Sequence, residues 1–106
     1  MTHEAFVALL EARFDKARAV LSAKSAEYSR NGDNLYNFKR AAQIQGGEIG
    51  PAKALLGMWS KHLVSVMDLI DRFEAGEKLD LALVDEKVGD AHNYIILLEA
   101  IFKETK

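Results

Sequence analysis

A single proline, Pro51, and glycines gathered at a few places (Gly32, the Gly46-Gly47 pair with Gly50, and Gly76) are the strongest constraint on this chain of 106 residues. They mark three breaks and leave four long uninterrupted stretches between them. No stretch alternates apolar and polar residues for long enough to form a sheet. The expected fold is all-α: one domain over residues 1–106, with four helices in antiparallel hairpins. No internal repeat, linker or low-complexity tract interrupts it.

The first helix is expected from about Thr2, a good N-cap, to about Ser29. Phe6, Leu10, Phe14, Ala17, Leu21 and Tyr28 recur on it at helical spacing and make one apolar face. Arg30-Asn31-Gly32-Asp33 ends it, with Gly32 free to adopt a left-handed conformation. A shorter helix from about Asn34 to Gln45 buries Leu35, Phe38 and Ala42. Pro51 opens the third from a first-turn position, where its missing N–H costs nothing. That helix carries Leu55, Trp59, Leu63, Val66, Ile70 and Phe73 and stops near Gly76. The fourth begins between Asp80 and Asp85 and runs to about Lys103, with a broad apolar face made by Val84, Val88, Ala91, Tyr94, Ile95, Leu98, Ile101 and Phe102. The short connection at Gly76 makes the last two helices an antiparallel hairpin.

Apolar residues make up 49% of the chain, enough for one core of moderate size. An apolar helix face left exposed would therefore point to a homo-oligomer. The formal charge of −2 gives no general attraction to nucleic acid or acidic membranes, so neither is expected as a partner. Without cysteine there are no disulfides or thiolate metal sites, which is compatible with a reducing compartment. Met1-Thr2-His3-Glu4 does not read as a signal peptide. The longest strongly apolar run, Tyr94 to Leu98, is far short of the roughly 20 residues a membrane helix needs. The expected location is the cytoplasm, that of the host if the chain is phage-encoded.

Polar residues beside the apolar stripes carry the chemical signal. Glu86, Asp90 and Asn93 share one face of the fourth helix, with Gly89 between them. A mid-helix glycine costs about 1 kcal/mol against alanine, which close approach by a ligand or another backbone would justify. On the third helix Lys61, Ser65, Asp68 and Arg72 form a polar stripe, with His62 beside it. In the hairpin Asp68, Glu86 and Asp90 fall at similar depth, and three carboxylates at one level suit Mg²⁺, a hard cation that bridges to phosphates. Lys24, close to the first helix's apolar stripe, is placed to meet a phosphate. Glu27 is placed to add a metal ligand or position a water, and Asn34 and Asn37 to hold a base or sugar.

Each residue also has a plainer reading. Asp85 and Glu86 can complement the amino-terminal dipole of their helix. Asp68 and Arg72 can form an ordinary i, i+4 ion pair, and His62 can be a packed histidine. Lys24 can reach from the core edge to solvent, Asp33 can cap the second helix, and Trp59 can belong to the core or a subunit interface.

The segment Lys24-Ser25-Ala26-Glu27-Tyr28, followed by Asn37-Phe38, resembles the K-x-x-[DE]-Y and N-F signatures of small phage proteins related to the nucleotide-modification-associated domain 1 group. The tail from Glu86 to Tyr94 resembles that group's E-x-x-x-D-x-x-N-Y pattern, and Lys61-His62 with Ser65 and Asp68 resembles its middle helix. The group is distantly similar to the all-α nucleoside triphosphate pyrophosphohydrolases of the MazG and dimeric dUTPase type. The resemblance implies a MazG-like oligomeric bundle with Glu86 and Asp90 as Mg²⁺ ligands, joined by Glu27 or Asp68. The chain departs from the pyrophosphohydrolase pattern, since it has no matching E-x-x-E pair and its final acidic pair is spaced by four.

Three functional expectations follow. The first is a Mg²⁺-dependent nucleotide-processing protein, with Asp68, Glu86 and Asp90 on metal, Lys24 and Glu27 at the phosphates, and Asn34, Asn37, Lys61, Asn93 and Tyr94 on substrate. The second is a module that binds or sequesters a nucleotide or cyclic nucleotide without turnover, as a phage counter-defence protein would. The third is a helical protein-interaction module.

Overall fold

The computed structural model describes residues 1–28 and 32–104, without the side chains of residues 26–28. Four helices span them: α1 His3–Tyr28, α2 Tyr36–Ile44, α3 Pro51–Glu74 and α4 Leu81–Lys103. Among the described residues there is no β-strand. The antiparallel α3–α4 hairpin is the most extensive contact; α2 packs against α3, and α1 against α4.

Local chemistry sets most of the boundaries. Thr2 Oγ1 accepts the Ala5 N–H at 3.1 Å and so caps α1. Asp80 Oδ1 does the same for α4, accepting from Ala82 at 3.0 Å. Pro51 stands in the first turn of α3. At the end of α3, Gly76 takes φ +87°, its N–H reaches the Phe73 carbonyl, and the Glu77 N–H reaches the Arg72 carbonyl, both at 3.0 Å. This Schellman arrangement satisfies carbonyls the helix would otherwise leave open and turns the chain back into α4. Gly46, at φ +91°, closes α2 in the same way.

The second helix begins two residues later than the sequence suggests, at Tyr36 rather than Asn34. Asp33 is the cause. Its Oδ1 accepts the Leu35 N–H at 2.9 Å, forming a turn around Asn34 before the helix starts. Its Oδ2 receives Lys39 Nζ at 2.7 Å, and Lys39 also reaches Glu104 Oε1 at 2.8 Å, tying α2 to the end of α4. The bond from Lys39, then that from the Leu35 backbone, holds the Asp33 carboxyl below its ordinary range. Asp33, then Glu104, raises Lys39 in return.

The core is small and lies where α2, α3 and α4 meet. Leu35, Phe38 and Leu55 form its centre, with Trp59, Tyr94, Leu97 and Leu98 packed around them. Leu55 is wholly buried. Phe38 meets Tyr94 edge-on, with centroids 6.4 Å apart, and Trp59 Nε1 donates to the Ala91 carbonyl at 3.2 Å, stitching α3 to α4.

The expected burial of α1 is not met. Among the described residues of its apolar face only Ala17 is buried, while Phe6 and Phe14 each stay 50% exposed. Phe73 and Phe102, expected in the cores of α3 and α4, are also exposed. α1 covers only a short length of α4 beside Ala17, and among the described residues much of each apolar face stays exposed.

With so small a core, its central residue carries a large share of the stability. Leu55→Ala should cost about 2–5 kcal/mol, since the fully enclosed site has little room to collapse. Urea unfolding followed by circular dichroism measures this, and a loss below about 1 kcal/mol would place the core elsewhere.

Candidate functional site

The polar stripe Glu86, Asp90, Asn93 runs along one side of α4, and α3 supplies a partner for one of its members. His62 Nδ1 lies 3.7 Å from Asp90 Oδ2, an ion pair whenever the imidazole is protonated. The His62 ring also leans on Tyr94, with centroids 5.0 Å apart and planes tilted by 33°. Tyr94 in turn touches Phe38, so α2, α3 and α4 converge on His62, Asp90 and Tyr94.

Asn93, one turn beyond Asp90, presents a buried Oδ1 with no hydrogen-bond partner, and neighbouring His92 has a buried Nδ1 in the same condition. Leaving such an atom unsatisfied costs about 1–3 kcal/mol. Native structures hold few of them, so these two mark where polar capacity remains unused.

The other residues singled out in the sequence are dispersed. Asp68 lies 3.7 Å from Arg72, but Arg72 gives its better bonds to Glu77, at 3.0 and 2.9 Å. Arg72 accordingly holds the Glu77 carboxyl below its usual value. Glu86 lies beside Lys87 at 3.9 Å. Asp68, Glu86 and Asp90 thus have three different neighbours: Arg72, Lys87 and His62. Among the described residues no three His, Asp or Glu side chains lie close enough together to hold a metal ion. Depth along the hairpin is not sufficient for convergence. Six residues past His62, Asp68 is turned about 120° around the helix from it, away from α4.

Lys61 and Asn37 are exposed; Ser65 Oγ donates back to the Lys61 carbonyl at 3.0 Å. Lys24 is exposed near the end of α1, where Ser25 Oγ donates to Asn34 Oδ1 at 2.7 Å. Asn34 thereby fastens α1 to the turn before α2. The side chains of Glu27 and Tyr28 lie outside the described residues, as do Arg30 and Asn31 of the turn.

Sequence reasoning missed one cluster. Arg13, on the α4-facing side of α1, donates through Nη2 to both the carbonyl and Oδ1 of Asp85 at 3.3 Å, and Lys16 Nζ reaches Asp85 Oδ2 at 2.8 Å. Lys16 chiefly, with help from Arg13, holds the Asp85 carboxyl low. Asp85 therefore anchors α1 in addition to lying near the start of its helix. The same contact explains Gly89: a Cβ there would stand 2.6 Å from Arg13 Nη1. The close approach a mid-helix glycine advertises is made by an arginine of α1.

Two open grooves accompany these features, and neither holds the polar stripe. One, of about 340 Å³, lies between α1 and α4 and is lined by Phe14, His92, Ile95 and Phe102 among others. The other, of about 230 Å³, lies between α3 and α4 beside Leu56, Trp59, Leu98 and Phe102. Both are mainly apolar. Because α4 turns about 100° per residue, Glu86, Asp90 and Asn93 face away from the side that carries Val88 and Ile95. Among the described residues no helix is long and apolar enough to cross a membrane.

Comparison with known proteins finds no matching family model, no matching curated protein and no matching solved structure.

The role given to Gly89 is checked by Gly89→Ala. The new methyl pushes only the flexible end of Arg13. The helix gains about 1 kcal/mol in propensity and loses a partly exposed ion pair worth about 0.2–1 kcal/mol. Thermal unfolding should show stability unchanged or raised by up to about 1 kcal/mol. A loss above about 2 kcal/mol would mean that backbone, not a side chain, needs the space.

Proposed function

We propose that this chain binds a nucleotide at the polar side of the α3–α4 hairpin, around His62, Asp90, Asn93 and Tyr94. The observation that carries the reading is the buried, unpartnered Oδ1 of Asn93 one turn from the His62–Asp90 pair. A base amino group or a sugar hydroxyl supplies the donor that this acceptor lacks. His62 and Tyr94 form an aromatic wall whose protonatable member sits against a carboxylate. Lys61, exposed one residue before His62, is available to a phosphate. A cytoplasmic location suits such a ligand.

The resemblance to nucleotide-modification-associated proteins supports the same reading from the sequence side and adds Mg²⁺-dependent release of pyrophosphate from a nucleoside triphosphate. Among the described residues, no three His, Asp or Glu side chains stand together as a metal group. Asp68, Glu86 and Asp90 would have to converge to hold Mg²⁺, and no step is routed through it.

A thermal-shift panel of nucleotides and cyclic nucleotides, with and without Mg²⁺, followed by phosphate-release assays on each hit, tests this directly. A ligand at 100 times its dissociation constant should stabilise the fold by about 2.7 kcal/mol. Asn93→Leu should abolish most of that shift while leaving the fold intact. Turnover that needs Mg²⁺ and disappears in the Glu86→Ala, Asp90→Ala double variant would establish the hydrolase instead. A panel with no shift anywhere would refute nucleotide binding.

A further inference from the structure

The groove between the start of α3 and the end of α4 is apolar over nearly all of its lining and carries one charge. Leu55, Leu56, Trp59, Leu98 and Phe102 line it, and among the described residues Lys53 is the one charged side chain there. Leu56 is 53% exposed and Phe102 72%, so two of these walls stay open to solvent. The Trp59 indole has already given its N–H to the Ala91 carbonyl, so it offers the groove an apolar ring. His62, Asp90, Asn93 and Tyr94 do not line this groove, which is therefore independent of the proposed nucleotide site.

The charge at its mouth is uncompensated. Lys53 has no ion pair or hydrogen bond among the described residues, while the carboxylates at the end of α4, Glu99 and Glu104, are taken up by Lys103 and Lys39. Lys53 also stands in the first turn of α3, whose cap residue Gly50 brings no side chain. The amino-terminal end of the helix dipole thus adds potential of the same sign as the ammonium. An apolar groove with a free cation at its edge is complementary to an anion with an apolar body. A neutral apolar molecule would leave Lys53 unused, a cation would be repelled, and inorganic phosphate would meet Lys53 without covering Leu56 or Phe102.

Size narrows the occupant further. The groove holds about 230 Å³, below the roughly 300–1,000 Å³ of sites for drug-sized ligands and above the roughly 150 Å³ that accommodates benzene. One turn of a helix, about 10–12 Å across and about 5.4 Å long, is too large to enter. We propose that the groove binds a small apolar monocarboxylate. Its body, about the size of a phenyl ring, lies between Leu56, Trp59 and Phe102, and its carboxylate meets Lys53. The exposed parts of Leu56 and Phe102 then lose their contact with water, and the ammonium gains its partner.

Trp59 is the chain's single tryptophan, so its fluorescence reports on the groove directly. The test is a titration of the full chain with 3-phenylpropionate, with 3-phenylpropanol and 3-phenylpropylamine as the neutral and cationic matches. The carboxylate should shift the Trp59 emission saturably, with a dissociation constant of about 1 mM, the ordinary reach of a ligand this small. It should bind about 3–30-fold more tightly than the alcohol, the factor that one exposed ion pair and a helix end supply together. Lys53 is exposed, so its variants should keep the fold. Lys53→Met should abolish the preference for the carboxylate, and Lys53→Arg should retain it. Asn93→Leu, at the proposed nucleotide site, should leave the titration unchanged. No saturable change by about 20 mM, equal binding of the alcohol, a preference that survives Lys53→Met, or a signal lost in Asn93→Leu would each overturn the proposal.

Discussion

The turn at Gly76 is the constraint on which this structure depends. It holds a left-handed glycine and two capping hydrogen bonds, and it returns α4 along the full length of α3. Once that hairpin exists, Trp59 can reach the Ala91 carbonyl and Leu55 can be enclosed. The shorter α2 then closes one end through Leu35 and Phe38, with Lys39 as a tie to Asp33 and Glu104. Burial of these few apolar side chains outweighs the ion pairs. Each buried leucine contributes a few kcal/mol, and each exposed pair contributes between nothing and about 1 kcal/mol. The attachment of α1 is of a different kind, resting on Ala17, the Arg13 and Lys16 contacts to Asp85, and the edge-on packing of Phe14 on His92.

The hairpin therefore has two sides with opposite character. One side brings His62 together with Asp90 and Tyr94, and Asn93, one turn beyond Asp90, holds a buried acceptor that lacks a donor. The other side presents exposed apolar residues, Val88, Ile95 and Phe102 among them. The first suits a small polar ligand, and the groove beside Phe102 suits an apolar carboxylate.

The fold class was legible because helix breakers are local: Pro51, Gly46 and Gly76 act through their own backbones. The start of α2 was misjudged because Asp33 competes with the helix for the Leu35 N–H. Burial of α1 was over-read, since periodicity shows which face is apolar but not whether anything covers it. Of the candidate site, His62 with Asp90 and Tyr94 came together. Asp68 did not join them, because its rotation about the helix axis separates it from α4. The Arg13–Asp85 contact spans 72 residues of sequence and has no local signature. Gly89 was its one visible trace, and only the structure shows that an arginine fills the space.

Amide hydrogen exchange across the whole chain tests the central claim that the α3–α4 hairpin, not α1, is the unit of stability. The account predicts that the slowest amides lie in α3 and α4 around Leu55, Trp59 and Ala91. Those of α1 before Arg13 should exchange at least ~100-fold faster, through local opening. Equal protection along α1 and the hairpin would contradict it.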